Sequence, residues 1–318
     1  MEIILSILGG LGLFLFAVTM LSKELQELLG ERAQKVVGKV VANLFTAVLT
    51  GTVATVLLDS SSAVIILTIV LVNAKVLTFR QAIGVVMGAN IGTTFSSQLI
   101  AFDIGKYSPI PIFVGLLLGF FSRNENISKG ARALLYFGIL FFGLYTMERS
   151  VEPLRENEFF TRLMERLNNP LLGAGTGALV TLIIQSSSAT VGIVITLAKK
   201  GLIELSGAIA VMLGAELGTC ADTLLATIRS TRPAIKTGIF HLSFNIISIT
   251  VGLICFPLFI QLVLAISGQS SLQQQVATSH ILFNVLGVLL FLPFVGLIER
   301  LLDRLLPDKK GAVKSTAT

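Results

Sequence analysis

Residues 167–198 read LNNPLLGAGTGALVTLIIQSSSATVGIVITLA, 32 positions without one Asp, Glu, Lys or Arg. As a single α-helix at ~1.5 Å per residue this run would reach ~48 Å, well beyond a ~30 Å hydrocarbon core. Its polar centre, Gln185-Ser186-Ser187-Ser188, leaves an apolar arm on each side too short to cross comfortably. The run therefore reads as a re-entrant helical hairpin with a polar tip at membrane depth. Residues 40–74, with Asp59-Ser60-Ser61-Ser62 near their middle, read likewise.

The two stretches are related by an offset of 126 residues. Residues 51–63 match 177–189, and Ala82 through Thr94 match Ala208 through Cys220, with 13 identities in 26 ungapped positions. Gly12 to Phe16 aligns with Gly138 to Phe142 at the same spacing. Such self-similarity marks a duplicated structural unit. It divides the chain into repeat one at 1–126 and repeat two at 127–255. A C-terminal transmembrane region at 256–306 and a short cytoplasmic tail at 307–318 follow.

Composition puts the whole in a bilayer. Hydrophobic residues make up 53% of the chain and charged ones 13%, more apolar surface than a soluble domain of this length can bury. If the hairpins do not cross, spans fall at about 3–21, 81–102 and 107–122 in repeat one, then 133–147, 206–228 and 233–255 in repeat two, with one more at 276–300. Three spans per repeat give the repeats opposite topology. This assignment puts 17 of the 24 Lys and Arg on one side, which the positive-inside rule makes cytoplasmic, with the C-terminus inside and the N-terminus outside. The net charge of +6 is thus a topology signal and does not point to nucleic acid. The first apolar segment reads as retained, because Met1-Glu2-Ile3-Ile4 lacks the basic start of a signal peptide. Cys220 and Cys255, both in apolar segments, point to packing.

One buried serine triplet reads most simply as helix packing; two at equivalent places, each followed by Gly-Ala-x-x-Gly-Thr, read as a site. Gly88, Gly92, Gly214 and Gly218 are expected to unwind the helices at about 81–102 and 206–228, leaving Thr93, Thr94 and Thr219 hydroxyls beside freed carbonyls. Hairpin tips offer amides to an anion, and carbonyls with hydroxyls suit Na⁺. No Lys or Arg lies between Ser60 and Ala74, Gln81 and Phe102, or Leu167 and Ala198, so co-bound sodium is the economical neutraliser of an anion. Asp59, Glu216 and the weaker candidate Asp222 are carboxylates at membrane depth, suited to ion ligation, proton carriage or a structural hydrogen bond. His241-x-x-Phe-Asn245 and His280-x-x-Phe-Asn284 read as polar glue between helices, and two lone histidines make a poor zinc site. No Walker-type phosphate loop is present.

At Gln185-Ser186-Ser187-Ser188, Gly88-Ala89-Asn90-Ile91-Gly92-Thr93-Thr94 and the His-x-x-Phe-Asn echoes, the chain resembles the type II sodium/phosphate cotransporters, in a minimal prokaryotic form. The resemblance implies an all-α membrane protein of two inverted-topology repeats whose hairpin tips meet at the midplane. It implies symport of inorganic phosphate with Na⁺ by alternating access, no cofactor, no enzymatic activity, a homodimer and a cell-membrane location. Ser60, Ser61, Ser62, Gln185, Ser186, Ser187, Ser188 and Asn90 are then expected on phosphate. Ser61, Gln185, Ser187, Asn90, Thr93, Thr94 and Thr219 are expected on sodium, with Asp59 and Glu216 added where the family has Gln and Asn. Two other readings keep part of this picture: a carrier of sulfate or dicarboxylate, or a non-transporting phosphate sensor. An intramembrane enzyme is disfavoured because the triplets lack a neighbouring base.

Overall fold

The computed structural model describes residues 2–102 and 104–307, and every regular element among them is helical. In chain order these are α1 (Glu2–Val40), α2 (Leu44–Leu58), α3 (Ser61–Asn73), α4 (Phe79–Ala101), α5 (Pro109–Phe121), α6 (Glu125–Val151), α7 (Glu158–Arg166), α8 (Pro170–Ile184), α9 (Ser187–Lys199), α10 (Leu205–Gly218), α11 (Cys220–Ala226), α12 (Arg232–Ile254), α13 (Phe256–Ser267), α14 (Leu272–Phe291) and α15 (Val295–Leu305). Among the described residues five segments are long and apolar enough to cross a membrane, Ile3–Leu28, Glu125–Leu154, Leu205–Ala226, Arg232–Ile254 and Leu272–Leu305, or up to seven if each of two bent helix pairs counts as one span. Apolar side chains crowd the outside too. On α5 only Gly115 is buried, while Phe113, Phe120 and Phe121 stand exposed, as a bilayer solvent permits. The expected tail lies outside the described residues from 308 onward.

The interruptions at the serine triplets have local causes. Helix α2 starts from a capping box, Asn43 with Thr46, and stops at Asp59, whose φ of 48° and ψ of 35° are left-handed. Ser60 then starts α3, its Oγ accepting from the Ala63 amide at 3.2 Å. The second copy repeats the break, though Asn169 caps its first helix without a capping box. Pro170 opens α8, Gln185 ends it at φ 60° and ψ 29°, and the Ser186 Oγ accepts from the Ala189 amide at 3.2 Å. A left-handed non-glycine residue costs ~1 kcal/mol, and a serine N-cap returns a similar amount by satisfying a free amide. At 15 and 13 residues, the two helices of each pair reach only ~22 and ~20 Å.

The expected broken helix in repeat one is corrected. Helix α4 runs without interruption through Gly88, Asn90, Gly92, Thr93 and Thr94. The stretch is buried in the protein, where freed backbone groups would have no solvent to bond, so the internal hydrogen bonds are kept. The glycines serve close crossing instead: a Cβ on Gly88 would fall 1.9 Å from the Val48 carbonyl oxygen of α2, and one on Gly92 2.6 Å from that of Thr52. The Thr52 hydroxyl also donates across the crossing to the Gly88 carbonyl at 3.1 Å. In repeat two the interruption shrinks to Thr219, between α10 and α11, with right-handed φ −74° and ψ −13°. The span expected at 233–255 ends at Cys255 as α12 does, and the short apolar α13 that follows is an element the span assignment lacks.

The crossings match pairwise across the offset. Gly177 faces the Val211 carbonyl on α10 as Gly51 faces that of Val85 on α4, and Gly214 faces Ala174 as Gly88 faces Val48. Where repeat one sets Ala47 against Gly84, repeat two sets Gly173 against Ala210. One methyl fills the gap in both, carried by opposite partners.

Candidate functional site

Asp59, at the end of α2, is joined to α4 by a hydrogen bond that Ser96 Oγ donates to its Oδ1. On the same side of the break, Ser22 Oγ of α1 donates to the carbonyl of Leu58, the last residue of α2, at 3.3 Å. The carboxylate thus ends a short helix while its side chain is held from the neighbouring long one. Ser61 and Ser62 follow in the first turn of α3, half-buried. Gln185 is exposed at the matching break, Ser187 is buried and Ser188 half-buried.

Asp59, Ser96 and Ser188 line one cavity of ~40 Å³, walled by Leu99, Ile100 and Phe141 among others. The first break and the second therefore face a common space, with a carboxylate from one and a hydroxyl from the other. Apart from Asp59, Ser96 and Ser188 the residues lining it are all apolar. Among the described residues no group of three or more His, Cys, Asp and Glu could hold a metal ion.

The other expected ligands lie on α4, on α10 and, for Thr219, at the junction of α10 with α11. Asn90 is buried, and its side-chain amide donates to the Val86 carbonyl at 3.3 Å. Thr93 and Thr94 donate to Ala89 and Ile91 carbonyls at 3.0 and 2.7 Å, and Thr219 to that of Glu216 at 3.0 Å. Each threonine hydroxyl thus spends its proton on a backbone carbonyl three or four residues back and keeps its oxygen lone pairs. Half-buried Asp222 lies on α11.

Glu216 stands where repeat one has Asn90, and the structure gives it a partner from neither repeat. Its Oε1 lies 2.7 Å from Nε2 of His280 on α14, and Nδ1 of the same ring lies 2.6 Å from Ser97 Oγ on α4. All three are buried. His241 on α12 sits 2.8 Å from Thr223 Oγ1, and Thr223 is Ser97 shifted by 126 residues. Asn245 donates to the Glu216 carbonyl at 2.8 Å, and Asn284 to the His280 carbonyl at 3.1 Å. Both histidines and Asn245 therefore make inter-helix polar contacts, whereas the Asn284 amide bonds within α14 and its Oδ1 is buried without a hydrogen-bond partner. Ser96 and Ser97 escape sequence reading; the offset that pairs Ser97 with Thr223 is the signal that finds the second.

One difference between the copies has an energetic consequence. Thr181 donates to Thr190 at 2.7 Å, but the corresponding Thr55 hydroxyl is buried without a partner, because Val64 replaces Thr190. A buried orphan hydroxyl costs ~1–3 kcal/mol. Val64→Thr is expected to raise the thermal midpoint of the detergent-purified protein by ~2 °C, and Thr190→Val to lower it comparably. Midpoints that stay put in both variants would remove this account of the two threonines.

Comparison with known proteins adds relatives to this geometry. A Bacillus subtilis protein named "Uncharacterized protein YqeW" is 31% identical over 264 residues, covering 83% of this chain and 85% of its own. The Escherichia coli "Putative inorganic phosphate export protein YjbB" is 25% identical over 309 residues, 96% of this chain but 56% of that protein, so the chain spans little more than half of it. The sheep "Sodium-dependent phosphate transport protein 2A" is 35% identical over 91 residues, 27% of this chain and 14% of its own. No solved structure matches. The model of the Na+/Pi-cotransporter family matches twice, at residues 13–149 and 142–292. With both halves of the sequence matched in this way, the chain belongs to the Na+/Pi-cotransporter family.

Proposed function

We propose that this membrane protein is a sodium-coupled secondary transporter of inorganic phosphate, built from two inverted-topology repeats that alternate access around the paired serine tips. The observation that carries the reading is the shared cavity, to which the first break contributes Asp59 and the second Ser188. Helix pairs α2–α3 and α8–α9 act as re-entrant hairpins, each arm being too short to span. The amino ends of α3 and α9 direct the amides of Ser61, Ser62, Ser187 and Ser188 toward the tips, where a phosphate oxygen is favoured. Ser60 and Ser186 set the turns, while Gln185 and Asn90 complete the phosphate shell. Asp59, Glu216, Thr93, Thr94 and Thr219, with the tip oxygens of Ser61, Gln185 and Ser187 and the side chain of Asn90, serve sodium. With no cation at the tips, Na⁺ neutralises the bound phosphate, which couples the two fluxes.

The sidedness follows the positive-inside assignment, with the C-terminus in the cytoplasm and the protein a homodimer in the cell membrane. The ion pairs are consistent with this. Arg80 with Glu299, Arg132 with Glu24 and Lys236 with Asp303 join elements on the Lys/Arg-rich side, whereas Lys199 and Lys200 pair with Glu148 on the other.

Uptake of labelled phosphate into proteoliposomes tests the reading. An inward Na⁺ gradient is expected to drive accumulation that arsenate competes and sulfate does not, and the Ser61→Ala, Ser187→Ala pair is expected to cut it at least ~100-fold, the loss of two hydrogen bonds to a charged ligand. Sodium-independent flux, or flux untouched by the pair, would refute the coupling or the site respectively. The name of the E. coli relative speaks of phosphate export. Because a secondary carrier runs down whichever gradient is imposed, export is the second reading, tested by loading phosphate inside the vesicles.

A further inference from the structure

We infer that the protein has a second anion site, separate from the serine tips, which takes a phosphoryl group at the cavity between the α3–α4 and α11–α12 turns. The cavity is ~710 Å³ and is lined by Lys75, Arg232, Ser230, Thr231, Val72 and Ile235, among others. It lies beyond the far end of α3, whose 13 residues span ~20 Å from Ser61. It is therefore not part of the paired tips.

Cations on this face need no ligand to be explained, since the positive-inside rule alone puts them there. What sets Lys75 and Arg232 apart is that they line one cavity together; like Arg229, Arg300 and Arg304, they have no acid partner among the described residues. Arg80 is paired with Glu299 at 2.9 Å and Lys236 with Asp303 at 2.6 Å, whereas among the described residues no carboxylate pairs with Lys75 or Arg232. Lys75 also holds a left-handed backbone, φ 59°, at a position where repeat two has Gly201 at φ 62°. Glycine adopts that conformation without strain; lysine pays ~1 kcal/mol for it. The first repeat thus keeps a cation at a turn where its copy dispenses with a side chain.

The walls are held in register. Asn73 Oδ1 accepts from the Thr231 amide at 2.8 Å, tying the end of α3 to the start of α12. Two cations from different repeats and the hydroxyls of Ser230 and Thr231 then surround one space. Charge and donors of this kind match a phosphoryl dianion or a phosphodiester. The Val72 and Ile235 wall and the volume, larger than inorganic phosphate needs, favour a phosphoryl group carried on a larger molecule. An anionic phospholipid headgroup and free phosphate share the recognised chemistry. The inference does not rest on the transport reading.

The test uses the full chain in nanodiscs, as wild type, Lys75→Gln/Arg232→Gln and Lys75→Arg/Arg232→Lys. In mixed phosphatidylcholine and phosphatidylglycerol discs, native mass spectrometry reads which lipid is retained. In phosphatidylcholine discs without sodium, where a sodium-dependent tip site is empty, binding of millimolar inorganic phosphate is read directly. The wild type and the charge-conserving pair are expected to retain phosphatidylglycerol about tenfold over phosphatidylcholine, and the neutral pair to lose that preference. If the neutral pair instead loses phosphate binding in the sodium-free arm, the site belongs to the free anion. A neutral pair indistinguishable from wild type in both arms overturns the inference, and it does so whether or not sodium-driven uptake is observed.

Discussion

Gly214→Ala and Gly88→Ala are each expected to destabilise the protein by at least ~3 kcal/mol, enough to deplete folded material in the membrane. The methyl group would fall 1.8 Å from the Ala174 carbonyl oxygen in the first case and 1.9 Å from that of Val48 in the second. Both obstacles are backbone, so no rotamer change relieves them. The helices must part, and every contact along the α8–α10 or α2–α4 crossing loosens with them. In lipid this packing is a main source of helix association, because tails are as apolar as the side chains they replace.

Gly84 is the control for that argument. A methyl on it would lie 2.4 Å from the Ala47 methyl, a side chain, and repeat two carries the inverse pair, Gly173 with Ala210. Gly84→Ala alone should destabilise, and adding Ala47→Gly should bring the protein back to within ~1 kcal/mol of wild type, the scale of a helix glycine. No such partner substitution exists for Gly88 or Gly214. Thermal midpoints of the purified variants decide it: failure of Ala47→Gly to rescue Gly84→Ala, or tolerance of Gly214→Ala, would show that the crossings yield.

The sequence made the helix breaks at Asp59-Ser60 and Gln185-Ser186 readable because serine after a long apolar run is both a helix starter and too polar to leave mid-span. The offset of 126 then located their counterparts on α4 and α10. What could not be read was the state of Gly88-Ala89-Asn90-Ile91-Gly92. Glycines spaced four apart are demanded equally by an unwound helix and by two backbones in contact, and only the position of Val48 and Thr52 across α4 distinguishes them. The partner of Glu216 was hidden for a similar reason. His280 is 64 residues away on a helix outside both repeats, and its role depends on an approach that no local pattern encodes.

That pairing carries the second large expectation. Glu216→Ala should cost ~1–3 kcal/mol, because it leaves a nitrogen of the buried His280 ring without its partner while Ser97 still holds the other. Glu216→Gln retains an oxygen and a donor at the same reach and should cost much less. Replacing both Glu216 and His280 by leucine should be milder than the sum of the single losses, with a coupling of ~2 kcal/mol, since no polar group is then left stranded between them. These stabilities separate two roles that the proposed site assigns to one carboxylate. If Glu216 only pins α14 to α10, the Gln variant keeps phosphate uptake and its dependence on sodium concentration. If it also ligates sodium, the Gln variant folds normally but needs about tenfold more Na⁺ for half-maximal uptake, the effect of losing one charged ligand. A normally folded Gln variant with unchanged sodium dependence would take Glu216 off the sodium shell and leave Asp59, bonded to Ser96 beside Ser188, as its carboxylate.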